Sequence, residues 1–212
     1  QHSEDPAAVL KHHYHDFCQP EFWLSTPRTI RPLHDLDRQL AASVMGDFKS
    51  GWKLAQKLER EEPFNDRAAY NRGWYLLQQG EIQKGYRLLD RGRKSEVFGN
   101  KYPDTPQPLW DGVAKGVVLL NLEGGLGDQI HQIRYAKLIA DRGCTVIVAA
   151  TASLVVLLAK VEGVSAIVQH EAAGQVFHDY VVQGMSAIVP LGLELADISG
   201  APYIKKPSVQ KS

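Results

Sequence analysis

From residue 35 to residue 95 apolar side chains recur at helical spacing with polar residues between them, and this pattern predicts amphipathic helices throughout the stretch. Beyond residue 117 the texture changes. Short β-branched runs, "VVLLNL" (117–122), "TVIVAA" (145–150), "VSAIV" (164–168) and "DYVVQ" (179–183), predict four strands. "DQIHQIRYAKLIADRG" and "SLVVLLAKVEG" predict helices between the first three. Strand, helix, strand, helix, strand in that order implies a parallel sheet with right-handed crossovers. The expected class is α plus α/β, a helical domain followed by a Rossmann-like sheet domain.

The helical half contains an internal repeat. Slid by 34 residues, "GDFKSGWKL" (Gly46 to Leu54) falls on "GEIQKGYRL" (Gly80 to Leu88), pairing two glycines, an acid, an apolar residue, an aromatic residue, a base and a leucine. The period and the glycine turn between amphipathic stretches resemble the tetratricopeptide repeat, a helical hairpin that buries its apolar face by stacking on a neighbour. Pro63 falls where that family often has proline. Gly51 and Gly85 stand where the repeat usually has alanine, and glycine weakens a helix interior by roughly 1 kcal/mol. An ordinary pair of helical hairpins is the alternative.

The predicted organisation is an irregular arm over 1–34, with Pro20, Pro27 and Pro32; tetratricopeptide-like helices over 35–96; a proline-rich linker over 97–116; a sheet domain over 117–207; and a tail over 208–212. His12, His13 and His15 invite a metal reading, but the spacing does not force one: adjacent histidines point different ways on a helix and no obvious set of acids and cysteines completes a site, so the expectation is a solvated terminal segment and no metal. Cys18 and Cys144 lack a CxxC spacing and read as reduced. The 24 basic and 24 acidic residues cancel, so nothing in the charge argues for nucleic acid as a partner. The apolar runs are far shorter than the roughly 20 residues that cross a bilayer, and the start "QHSEDP" carries no signal-like segment, so the expectation is a cytoplasmic chain.

The candidate chemistry lies in "LLNLEGGLGDQIHQIRY" (119–135). In an open parallel sheet the ligand crevice lies beyond the carboxyl ends of the strands, where Glu123 to Asp128 fall. Gly124, Gly125 and Gly127 allow close backbone approach, and the following amides open a helix. "GGLGDQ" is not GxGxxG, no acid ends the second strand, and no GK[ST] follows, so NAD and ATP are disfavoured and no cofactor is implied. The plainer reading is a tight turn in which Asp128 caps the helix.

"PQPLWDG", "EGGLGDQIHQIRYAKLIADRG", "VEGVSAIV", "HDYVVQGMSAIVPLGLE" and "APYI" together resemble the bacterial tetratricopeptide-repeat glycosyltransferases. That family fuses helical repeats to a GT-B transferase similar to lipopolysaccharide heptosyltransferases and O-GlcNAc transferase. Its loop usually reads E-Q-G-L-G-D-T-I-Q-F-x-R-Y. Glu123, Gly125, Leu126, Gly127, Asp128, Ile130, Arg134 and Tyr135 match this pattern, whereas Gly124, Gln129, His131 and Gln132 depart from it. Asp179, Met185 and Ser186 match a later segment of the family, where Val181, Gln183 and Gly184 replace its His, Pro and Leu. The resemblance spans about residues 35 to 207 and implies that the sheet domain is the acceptor-side half of a GT-B fold.

By the same resemblance Asp128 would be the general base that deprotonates an acceptor hydroxyl. Gly124, Gly125, Gly127, Gln129, His131 and Arg134 are the candidate substrate-binding residues. The expected partners are a saccharide or protein acceptor, a nucleotide-sugar donor only with a second domain, a protein on the helical repeats, and further copies of the chain. The alternative is a non-catalytic tetratricopeptide-repeat module that binds protein or saccharide.

Overall fold

A computed structural model describes residues 35–95, 98–99 and 102–204. The arm over 1–34, with its histidines and Cys18, and the tail over 208–212 lie outside the described residues, as do residues 96–97, 100–101 and 205–207 of the linker and sheet domain.

Among the described residues the first half forms four helices, α1 (Asp35–Val44), α2 (Phe48–Glu61), α3 (Asp66–Gln78) and α4 (Ile82–Arg91), with a 3₁₀ turn at Gly92–Ser95. No strand interrupts them. Side-chain oxygens start two of these helices by accepting backbone amides: Asp47 accepts from Ser50 N at 3.1 Å, and Asn65 accepts from Arg67 N and Ala68 N at 3.0 Å each. The two copies of the sequence repeat occupy equivalent places, since Gly46 and Gly80 both turn in the left-handed region ahead of α2 and α4.

The glycines inside the helices are there for packing. A Cβ on Gly51 would lie 1.8 Å from the Tyr75 hydroxyl, and one on Gly85 would lie 2.5 Å from Leu77 Cδ2. Close approach of α2 to α3, and of α3 to α4, therefore offsets the helix propensity these positions forgo. Tyr75 uses the space beside Gly51 to donate its hydroxyl to Gln39 O at 2.9 Å.

The second half is a four-stranded, all-parallel sheet in the order β3-β2-β1-β4, built from β1 (Val117–Asn121), β2 (Thr145–Ala150), β3 (Ala166–Gln169) and β4 (Tyr180–Gln183). Val118, Leu120 and Leu122 point to one face and Leu119 to the other, and all four are fully buried. The first face packs on Ile133, Tyr135, Ala136 and Ile139, and Ile82 from the helical half joins the same core. Ala173, near the end of the β3 to β4 crossover, covers the second face with Val176.

The expected crossover helices are shorter than predicted. In place of the single helix predicted over 128–143 the chain forms two, α5 (Leu126–Gln132) and α6 (Tyr135–Asp141), broken at Ile133 and Arg134. At the break the Arg134 Nε donates to His131 O at 2.9 Å, taking the carbonyl that a continuous helix would pair with Tyr135 N. The segment 153–163 keeps only a 3₁₀ turn (Ala152–Leu154) and α7 (Val155–Leu158), in keeping with the low helix propensity of adjacent valines. The proline-rich linker also does more than connect: Trp110 N donates to Val181 O at 2.8 Å and Val181 N to Pro108 O at 3.0 Å, which covers the outer edge of β4.

The two halves share a polar as well as an apolar seam. Gln83 of α4 donates its amide to Ile188 O at 3.0 Å and Leu193 O at 2.8 Å.

Candidate functional site

The chain leaves β1 at the carboxyl edge of the sheet through Leu122, turns at Gly124 with φ of +73°, and enters α5 from Gly125. Gly124 is needed there on two counts: a side chain would be strained at that φ, and its Cβ would lie 2.7 Å from Asp128 Oδ2 and 2.9 Å from Met185 Cε. Gly125 and Gly127 are under no such demand. A Cβ at Gly127 would meet nothing within 4 Å, so their bareness leaves an open surface over the loop.

Beneath this exposed turn the loop is clamped by two buried glutamines at i and i+3. Gln132 accepts from Glu123 N at 2.8 Å and donates to Glu123 O at 3.1 Å. Gln129 donates to Gly124 O at 3.2 Å and to Thr151 Oγ1 at 2.7 Å, and accepts from Thr151 N at 2.9 Å. The amide of Gln129 is thus engaged within the protein, tying the first loop to the end of β2 rather than facing the open surface.

Glu123 anchors the loop to the helical half. Its carboxylate, 0% exposed, meets the 1% exposed guanidinium of Arg93 in a two-pronged ion pair, with Nη2 to Oε2 at 2.9 Å and Nη1 to Oε1 as the second contact. Oε2 also accepts from Met185 N at 3.0 Å. Arg93 donates further to Asp90 Oδ1 at 2.8 Å and to Ser186 Oγ at 2.9 Å, and Ser186 donates to Asp90. Burial opposes the charge on Arg93, but Glu123 and Asp90 outweigh it and hold the guanidinium more firmly protonated than in water. Phe98 and Tyr102 stack on the same guanidinium at 5.1 and 5.5 Å.

Asp128 is exposed and is not the first capping residue of α5. It sits in the first turn and reaches back, its Oδ2 accepting from Gly125 N at 2.9 Å. Together with His131 it forms one wall of a cleft of about 130 Å³, closed by Tyr86, Phe98, Tyr135 and Met185. Burial and then the positive charge of Arg134 lower the pKa of His131, with Asp128 pulling weakly the other way, which favours the neutral imidazole. Burial pushes the Tyr135 hydroxyl up to about 12, so it stays a neutral donor.

Of the residues singled out in the sequence, Gly124, Gly125, Gly127, Asp128 and His131 lie together on this surface. Gln129 lies below it. Arg134 points elsewhere: its guanidinium stacks on Tyr203 at 4.6 Å and donates to Ser199 O and to the Tyr203 hydroxyl at 3.2 Å each, fastening the segment 199–203. Asp179 is at the opposite, amino end of the sheet, where it accepts from Val117 N at 2.8 Å. Tyr86 and Phe98 were not foreseen as walls of the cleft, because no motif ties a helical repeat or a linker to a loop so far along the chain.

No protein-family model, no curated protein and no solved structure matches this chain.

Proposed function

We propose that this chain is the acceptor-binding half of a glycosyltransferase of the GT-B kind, with Asp128 as the base. The strand order β3-β2-β1-β4 agrees with the first four strands of a doubly wound nucleotide-binding sheet, and paired helical hairpins precede it, as in tetratricopeptide-repeat transferases. The observation that carries the reading is the placement of Asp128. An exposed carboxylate stands at the carboxyl edge of a parallel sheet, beside a histidine held neutral and in a cleft walled by aromatic rings. Aromatic faces with a few polar groups are the usual lining of a small-ligand site, and a sugar is such a ligand.

In the reaction an acceptor hydroxyl in this cleft loses its proton to Asp128. Its oxygen bonds the anomeric carbon of the donor sugar while the bond to the nucleotide diphosphate breaks. His131, neutral, hydrogen-bonds the acceptor and orients it. The bond from Gly125 N to Oδ2 fixes the rotamer of the carboxylate and leaves Oδ1 for the hydroxyl.

One observation favours a second reading, a binding module without turnover: the bond from Gly125 N to Oδ2 is also what a purely structural capping acid makes. Asp128→Asn separates the two, because asparagine still offers an oxygen to Gly125 N but takes no proton. Unfolding stability is expected to change by less than about 1 kcal/mol. Sugar transfer by the complete protein is expected to fall roughly 100-fold or more. Transfer left intact in this variant would assign Asp128 to capping alone.

A further inference from the structure

A second cleft is larger than the one at Asp128. It measures about 520 Å³, within the range of small-ligand sites, and runs between α4 and the covered edge of β4. The turn 184–186 separates the two, giving Gly184 and Met185 to the Asp128 cleft and Ser186 to this one.

Its charges are arranged unevenly. Lys84, Arg91 and Arg93 around it on α4 and the following turn are paired with Glu81, Asp66 and Glu123. Arg87, which lines the cleft and is exposed, has no partner among the described residues. Asp90 uses Oδ1 for Arg93 and Ser186, and Asp111 uses Oδ1 for Val113 N and Ala114 N at 2.8 Å each. The Oδ2 of each acid is left to accept. The amide bonds to Ala114 and Val113 lower the pKa of Asp111 and keep it ionised. Tyr102 and Leu109, 42% and 55% exposed, supply apolar surface.

One unpaired cation beside two carboxylate acceptors suits a ligand with a single acid group and several hydroxyl donors. A nucleoside diphosphate would bring more negative charge than Arg87 alone can meet, against the two acids that line the same cleft. A neutral sugar would leave Arg87 unanswered. We propose that this cleft is a second, separate saccharide site, which takes a sugar acid with its carboxylate on Arg87, its hydroxyls on Asp90 and Asp111, and its apolar ring face on Tyr102 and Leu109.

Titration of the full chain with D-glucuronate, followed by NMR shifts or calorimetry, tests this, with D-glucose, acetate and inorganic phosphate as comparison probes. Saturable glucuronate binding is expected, with each of the other three at least about 10-fold weaker, since each lacks one half of the recognition. Arg87→Gln should weaken glucuronate binding by roughly 10- to 100-fold, the worth of a charge-assisted pair. Leu109→Glu, at an exposed position, should weaken it as well by adding a like charge. Asp128→Asn should leave it unchanged, so this result stands apart from the fate of the catalytic reading. No saturable binding, equal binding of acetate or phosphate, or an unchanged Arg87→Gln variant would each overturn the assignment.

Discussion

Replacing Arg93 by methionine removes the buried ion pair that joins the helical half to the glycine loop. The substitution takes from Glu123, 0% exposed, the guanidinium that meets it in a two-pronged ion pair, while the Met185 amide still donates to its Oε2. Breaking a buried pair from one side costs about 3–5 kcal/mol, because the remaining charge stays desolvated. For a chain of this length that corresponds to a fall in Tm of about 6–20 °C. Glu123→Leu alone should cost less, about 2–3 kcal/mol, since Arg93 keeps Asp90 and Ser186 as partners. The double variant Arg93→Met/Glu123→Leu should lie within about 2 kcal/mol of the parent, because no charge is then stranded and Asp90 still reaches water. The assay is urea unfolding of the four proteins, read as a double-mutant cycle. A coupling of at least about 2 kcal/mol is expected. Effects that add within about 0.5 kcal/mol, or an Arg93→Met variant costing under about 1 kcal/mol, would refute the reasoning.

The glycines of the loop should behave oppositely to alanine. Gly124→Ala, forced to φ of +73° and against Asp128 and Met185, should cost about 1–3 kcal/mol, while Gly127→Ala, helical with open space around it, should gain about 0.5–1 kcal/mol; thermal unfolding of both variants checks this. A pH effect should come from His170. Asn121 donates to Gln183 at 2.6 Å and so turns its oxygen to His170 Nδ1 at 3.2 Å, which leaves the buried Nε2 unprotonated and without a partner. Burial lowers the pKa of His170, opposed by Glu171 and Glu123, so below its unfolded value of about 6.5 the unfolded chain binds more protons. Stability should therefore fall as the pH drops from 7.5 towards the folded pKa, and His170→Gln should flatten part of that slope in urea titrations. His131, shifted the same way, calls for His131→Gln as a parallel control. A slope unchanged by His170→Gln would overturn the tautomer assigned here.

Local pattern alone placed all four strands to within two residues and the helices of the first half, because side-chain periodicity records which face of a segment is buried. It also placed the loop at the carboxyl edge, since a strand followed by glycines and a helix can put it nowhere else in a parallel sheet. The 34-residue repeat marked the two glycine turns ahead of α2 and α4, though not the purpose of Gly51 and Gly85, whose bareness is set by Tyr75 and Leu77 on neighbouring helices.

The partners were decided only in three dimensions. Gln129 and Arg134 read as ligand-facing from their polarity and position, yet one staples the loop to Thr151 and the other holds Tyr203. A long polar side chain reports that it needs hydrogen bonds, not whether ligand, water or backbone supplies them. The same holds for strand order. Each apolar run states that it is buried, while its neighbour in the sheet depends on how the crossovers close and which faces fit. Glu123 was legible as part of a motif, but Arg93 lies 30 residues earlier in another structural unit. The folded chain alone brings them together, and two buried charges are tolerated there because each has found the other.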